Sequence, residues 1–155
     1  MSEGLWHVRE EILVPGSVIE PGRWGQIIMA AGASHPHFYR EYLLELWRRT
    51  QTTVAVSRLA CAFAYEEREE AVAFARGDAG LRVYEVEPAD ARAEGFRADM
   101  LWLTWMSEPN STFDRTVSQC RAYWSGQSTA DVSEIAHPTW EWLFTQGLRV
   151  VAVVE

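Results

Sequence analysis

Leu81-Arg82-Val83-Tyr84-Glu85-Val86-Glu87 alternates apolar and polar side chains before Pro88, the period of a strand that lays one face on a core. Leu5-Trp6-His7-Val8-Arg9 repeats the pattern at the start of the chain, with Trp6 and Val8 on one face and His7 and Arg9 on the other. Met100 to Met106 is apolar on both faces, which predicts a central strand. Leu148 to Val154 is Val-rich and predicts a buried one. Thr52 to Tyr65, rich in β-branched and small residues, reads as strand, or strand and bend.

Helical spacing occupies the gaps. Tyr39, Leu43, Leu46 and Trp47 recur on one face of the segment that follows His35-Pro36-His37. Glu66 to Glu70 opens a second helix through Phe74, its acids suited to a helix N-terminus, and Gly77 and Gly80 close it. Phe113, Val117, Cys120 and Trp124 mark a third, ended by Gly126, with Ser111 and Asp114 spaced as a capping box. Pro15-Gly16 and Pro21-Gly22 punctuate a loop continuing through Trp24-Gly25, and 127–139 is polar and irregular. So few and clustered helices do not make a doubly wound parallel sheet. The fold class is α+β: one domain over 1–155, built on antiparallel strands with flanking helices.

The 155-residue chain is long enough for one core. Its net charge of −8 excludes a nonspecific nucleic-acid binder, which needs a basic face. No apolar run reaches bilayer length, and Met1-Ser2-Glu3-Gly4 lacks a secretory n-region. Two cysteines, Cys61 and Cys120, build no disulfide framework. These readings place the expected home in the reduced cytoplasm. Nucleotide-binding glycine loops, a His-Glu-x-x-His pair and a Gly-x-Ser-x-Gly elbow are all absent from the sequence. His35 and His37 read as solvated loop histidines rather than metal ligands, so no metal is expected.

A constellation spread along the chain remains. His7 is followed by Gly16 and the pair Val18-Ile19. Phe63-Ala64-Tyr65 precedes a helix with Ala71 and Phe74. Glu141-Trp142-Leu143-Phe144 leads into Arg149 to Val154. In order and spacing these stretches resemble the ADP-ribosyltransferase fold of the His-Tyr-Glu type, and among its members the small bacterial rifampin ADP-ribosyltransferase-like proteins, whose Tyr-x-Val-Glu-Pro strand Tyr84 to Pro88 also resembles. Val8 stands where that family often has Gly, and Phe63 where it has Tyr.

The resemblance implies an antiparallel split sheet and an enzyme that moves ADP-ribose from NAD to an acceptor, a protein, a nucleic acid or a small molecule. By its pattern His7 hydrogen-bonds ribose hydroxyls, with Val8 beside it. Phe63 or Phe74 stacks on nicotinamide, Tyr65 stands in for the missing hydroxyl, and Arg9 and Arg58 grip the diphosphate. Glu141 stabilises the cationic transition state, with Asp90, Glu94 and Asp99 as alternatives for that acid. The catalytic set is thus Glu141, His7 and Phe63, with NAD as substrate. Two further readings stand beside it: a noncatalytic relative that binds a nucleotide or a protein, and an RNA 2′-phosphotransferase-like activity, which the acidic balance opposes. Acceptor choice is expected in the loops 22–34 and 127–139.

Overall fold

In the computed structural model, which describes residues 4–154, seven strands form one open antiparallel sheet in the order β2-β7-β4-β1-β3-β6-β5. They are β1 (Leu5–Arg9), β2 (Val18–Ile19), β3 (Ala62–Tyr65), β4 (Arg82–Pro88), β5 (Phe96–Asp99), β6 (Trp140–Phe144) and β7 (Leu148–Val154). Five α-helices join them: α1 (Arg23–Ala31), α2 (Phe38–Gln51), α3 (Arg68–Arg76), α4 (Leu101–Met106) and α5 (Phe113–Trp124). β4 is a strand as expected but not one-faced: the neighbours Val83 and Tyr84 are both buried, with Val86, and its register shifts between Glu85 and Val86. Every strand pairing is antiparallel, which meets the expectation of an α+β domain on an antiparallel sheet. The expected split reduces to a narrowing. β1 and β4 pair over five positions, whereas β1 and β3 share the single pair Trp6↔Tyr65.

Two clusters form the core. On one face Leu44, Cys61, Trp102, Leu103, Cys120, Tyr123, Trp124 and Leu143 pack α2, α4 and α5 onto β3, β5 and β6. On the other, Ile19, Ala62, Ala64, Tyr84, Phe144, Leu148 and Val150 close together. The strand period of two is what sends neighbours such as Leu143 and Phe144 to opposite clusters.

Several expectations are overturned. Met100 to Met106 is not a central strand but leads into α4, because Asp99 accepts the Leu101 amide through Oδ1 at 3.0 Å and starts a turn. Its buried residues Trp102, Leu103 and Met106 have helical spacing, and a short apolar run carries both patterns at once. The loop expected through Trp24-Gly25 is α1, entered from Gly22 at φ 100°. Gly25 inside it is a contact device: a Cβ there would lie 1.9 Å from the Leu59 carbonyl oxygen. Of 52–65 only Ala62–Tyr65 is strand. Arg48 instead holds the Val54 and Ala55 carbonyls, at 2.9 and 3.4 Å. Thr112, not Ser111, caps α5, its hydroxyl accepting from the Arg115 amide. β7 is half-buried, with Val151 and Val153 exposed.

Helix faces also differ from their periodicity. Tyr39 and Leu46 of α2 are exposed, and its buried face is Glu41, Leu44 and Glu45. Phe113 of α5 is exposed, while Cys120, Tyr123 and Trp124 are buried. A buried arginine explains the first of these differences.

Candidate functional site

Where β1 parts from β3, the Phe63 carbonyl bonds no β1 amide. It accepts from His7 Nδ1 at 2.7 Å. A carbonyl only accepts, so Nδ1 carries the proton and the neutral ring keeps Nε2 as an acceptor. Burial depresses the His7 pKa below the ordinary histidine range, with Arg9 and Arg23 assisting and the Phe63 bond opposing.

Next to this joint opens a cleft of about 880 Å³ lined by His7, Val8, Phe63, Tyr65, Phe74, Arg58 and Glu141, within the size range of small-molecule sites. The register places them: Trp6 pairs with Tyr65, and Tyr65 pairs with Glu141. Two strand spacings, about 10 Å between backbones, therefore separate the His7 strand from the Glu141 strand. Tyr65 and Phe74 rings lie 6.1 Å apart on one wall. Trp24, His35 and His37 also line the cleft, with Trp24 edge-on to His35 at 5.2 Å. The two histidines expected to be solvated are thus half-buried in the cleft wall. Among the described residues no three His, Cys, Asp or Glu side chains gather as a metal site.

The floor is a buried charge network. Arg58 is 5% exposed and donates through Nε to both oxygens of Glu41, at 3.0 and 3.2 Å. Its Nη1 donates to the Tyr123 hydroxyl at 2.6 Å and to Glu141 Oε1. Tyr123 donates in turn to Glu141 Oε1 at 2.6 Å. Arg40 adds a bond to Glu41 at 3.0 Å. Burial works against the Arg58 charge, yet Glu141 and Glu41 more than offset it, so its pKa stands well above the arginine range. Burial likewise drives the Tyr123 phenol well above its usual range. Glu141 Oε2 accepts no hydrogen bond among the described residues and is the oxygen left for a ligand.

The alternative acids are placed elsewhere. Asp90 and Glu94 are exposed and do not line the cleft. Asp99 is fully buried and committed to four donors: the amides of Leu101, Thr129 and Thr139 and the Thr129 hydroxyl. Arg9 lines not this cleft but a neighbouring pocket of about 240 Å³, which shares His7, Val8, Trp24 and Phe63 with it. There its guanidinium reaches Glu11 at 3.3 Å. Of the two arginines read as diphosphate partners, Arg58 spends Nε and Nη1 inside the protein, so its first duty is to hold Glu141.

Glu41, Tyr123, Arg40, Trp24, His37 and Glu70 also belong to the site and were not legible as such. Glu41 carried one faint signal: it sits three and four residues before Leu44 and Glu45, on a single helix face. Tyr123 carried none, lying beside Trp124 in an amphipathic pattern that pointed to packing alone. Trp24 Nε1 and Arg40 Nε are buried donors without partners, and both residues line the cleft. Both nitrogens are closed off from the cleft, so they mark local packing rather than a contact for a ligand.

The chain belongs to the family described as Protein of unknown function (DUF2441), whose model matches residues 9–155. No curated protein matches it. No helix among the described residues is long and apolar enough to cross a membrane.

Proposed function

We propose that the cleft binds NAD and transfers its ADP-ribose to an acceptor. One observation carries the reading: His7 of β1, Phe63 and Tyr65 of β3, Phe74 of α3 and Glu141 of β6, far apart in sequence, line a single cleft. Cleavage of the nicotinamide–ribose bond builds positive charge on the ribose, so a fixed carboxylate is the group that lowers the barrier. Glu141 is fixed through Oε1 by Arg58 and Tyr123, while Oε2 serves the substrate. His7 Nε2 accepts from a ribose hydroxyl, and Phe63 or Phe74 offers a ring face to nicotinamide. Val8 leaves the strand without the glycine that the resembling family uses, and the narrow β1–β3 joint gives the ligand the room instead.

A noncatalytic nucleotide-binding role is the second reading. It is favoured by the engagement of Glu141 Oε1 in the buried network. Titration with NAD by calorimetry, with nicotinamide release followed in the same sample, separates the two. The enzymatic reading expects binding that His7→Ala abolishes, and release that Glu141→Gln slows by roughly 10²–10³ with binding kept. Binding without release in the unaltered protein supports the noncatalytic role, and no binding at millimolar NAD rejects both uses of the cleft for this ligand.

A further inference from the structure

Resting on the reading of the cleft as an ADP-ribose transfer site, we infer that His37 is the general base that takes the proton of a hydroxyl acceptor. His37 is the N-cap residue of α2, and it lines the cleft together with Tyr65 and Phe74. Neither of its ring nitrogens has a hydrogen-bond partner among the described residues. Its backbone amide instead donates to His35 Nδ1 at 3.0 Å. That bond uses the His35 nitrogen that accepts and leaves His35 with its proton on Nε2, a donor rather than a base. Burial, helped by the Arg40 guanidinium, lowers the His37 pKa. Arg58 acts in the same direction and Glu41 opposes it. The positive end of the α2 dipole, for which His37 is the first residue, works the same way. A neutral imidazole in a cleft wall, with no partner on either ring nitrogen, is what general-base catalysis requires.

The other cleft groups are spoken for. His7 donates from Nδ1 to the Phe63 carbonyl, and in the transfer reading its Nε2 serves a ribose hydroxyl. Tyr65 has its hydroxyl pKa pushed up by burial and by Glu141. Glu141 is pinned by Arg58 and Tyr123. Glu70 lines the cleft too, but a carboxylate is a weaker base than a neutral imidazole.

The step balances without a further reagent. The nicotinamide–ribose C–N bond breaks with its electron pair leaving on nicotinamide. A lone pair of the hydroxyl oxygen forms the new C–O bond to the same ribose carbon. The hydroxyl proton passes to a His37 ring nitrogen and from there to solvent. A base is needed only when the nucleophile arrives protonated and neutral. The inference therefore excludes anionic acceptors and commits to a neutral hydroxyl, with water as its smallest member.

His37→Asn tests it, since Asn is a favoured helix N-cap and keeps the start of α2. With NAD as the only substrate and water as acceptor, nicotinamide release is expected to fall by roughly 10²–10⁴, the range of general-base contributions, with NAD affinity unchanged. Azide, a nucleophile with no proton to lose, is expected to restore release in the variant. Release that stays near the unaltered rate overturns the inference while leaving the transfer reading intact. So does a loss that azide does not repair, or one accompanied by loss of NAD affinity. An unaltered protein that neither binds nor cleaves NAD overturns the transfer reading itself, and the His37 role with it.

Discussion

Two carboxylates sit almost side by side and are used in opposite ways. Asp99 ends β5 and Glu141 lies in β6, one residue beyond Trp140, to which Asp99 is paired. Asp99 is fully buried and Glu141 is 3% exposed. Asp99 meets backbone amides and one threonine hydroxyl: it starts α4, ties down Thr129 and joins Thr139 to the strand end. Glu141 meets side chains, a guanidinium and a phenol, through one oxygen. A carboxylate saturated by amides is part of the fold's own wiring. One held by long side chains at a single oxygen is positioned, with the other oxygen kept in reserve. Burial does not tell the two apart; the partners do.

The severest way to break the comparison is to remove the cation. Arg58→Met leaves Glu41 and Glu141 buried with only Arg40 nearby to offset them. Breaking a buried pair from one side costs about 3–5 kcal/mol, and here one arginine serves two acids. Thermal melts are expected to fall by on the order of 10 °C, at roughly 2–4 °C per kcal/mol for a domain of this size. Adding Glu41→Gln to Arg58→Met is expected to recover part of the loss, because it removes one stranded charge. A double variant less stable than the single one contradicts the charge account.

Asp99→Asn comes next in size. Its amide group would face the donors that Oδ2 now accepts, the Thr129 amide at 2.8 Å and hydroxyl at 2.6 Å. Leaving buried donors unmet costs about 1–3 kcal/mol each. A stability loss of roughly 2–4 kcal/mol is expected in urea titration, with NAD affinity unaltered. The cleft acid gives the reverse pattern on Glu141→Gln: a modest stability change and a large loss of turnover. If Asp99→Asn lost turnover at full stability, the roles assigned to the two acids would have to be exchanged.

The same contrast explains what the sequence could disclose. The strands 82–88 and 148–154 and the helices at 38–51, 68–76 and 113–124 follow from local period, a property carried by neighbours in the chain. Segment 101–106 was not legible as helix because the signal that starts it lies in Asp99 and needs the strand before it to be recognised. β5 was missed too, since Phe96-Arg97-Ala98-Asp99 is too short and mixed to show a period. Within the site, His7, Phe63, Tyr65, Phe74 and Glu141 were legible from spacing against a known pattern. The network that holds Glu141 was not. Glu41, Arg58 and Tyr123 come from three distant segments, and nothing local says that a charged helix residue and an arginine will meet in the core. Arg58 was noticed, but for a phosphate it is not free to serve first.

The smallest effect concerns the edge of the cleft rather than its floor, and its sign is fixed by the direction of the His7 shift. In the fold His7 has a pKa below its ordinary value because burial disfavours the charged ring. In the unfolded chain it titrates in the ordinary histidine range, near 6.5. As pH falls through that range the unfolded state takes the proton first, and stability falls with it. The contribution of His7 is complete above the ordinary histidine pKa and is lost as the pH drops toward the lowered value of the fold. His7→Asn is therefore expected to flatten the difference in urea midpoint between pH 7 and pH 5. If the cleft takes NAD as proposed, protonation also turns Nε2 from an acceptor into a donor, so a ribose hydroxyl could no longer donate to it. His37 also carries a lowered pKa, so the comparison is made against His7→Asn in an otherwise unaltered chain, which leaves the His37 contribution common to both curves. A stability that rises more steeply from pH 5 to pH 7 in the parent than in the variant assigns the excess to His7. Identical curves would mean that the bond to Phe63, not the protonation state, is what His7 supplies to the joint between β1 and β3.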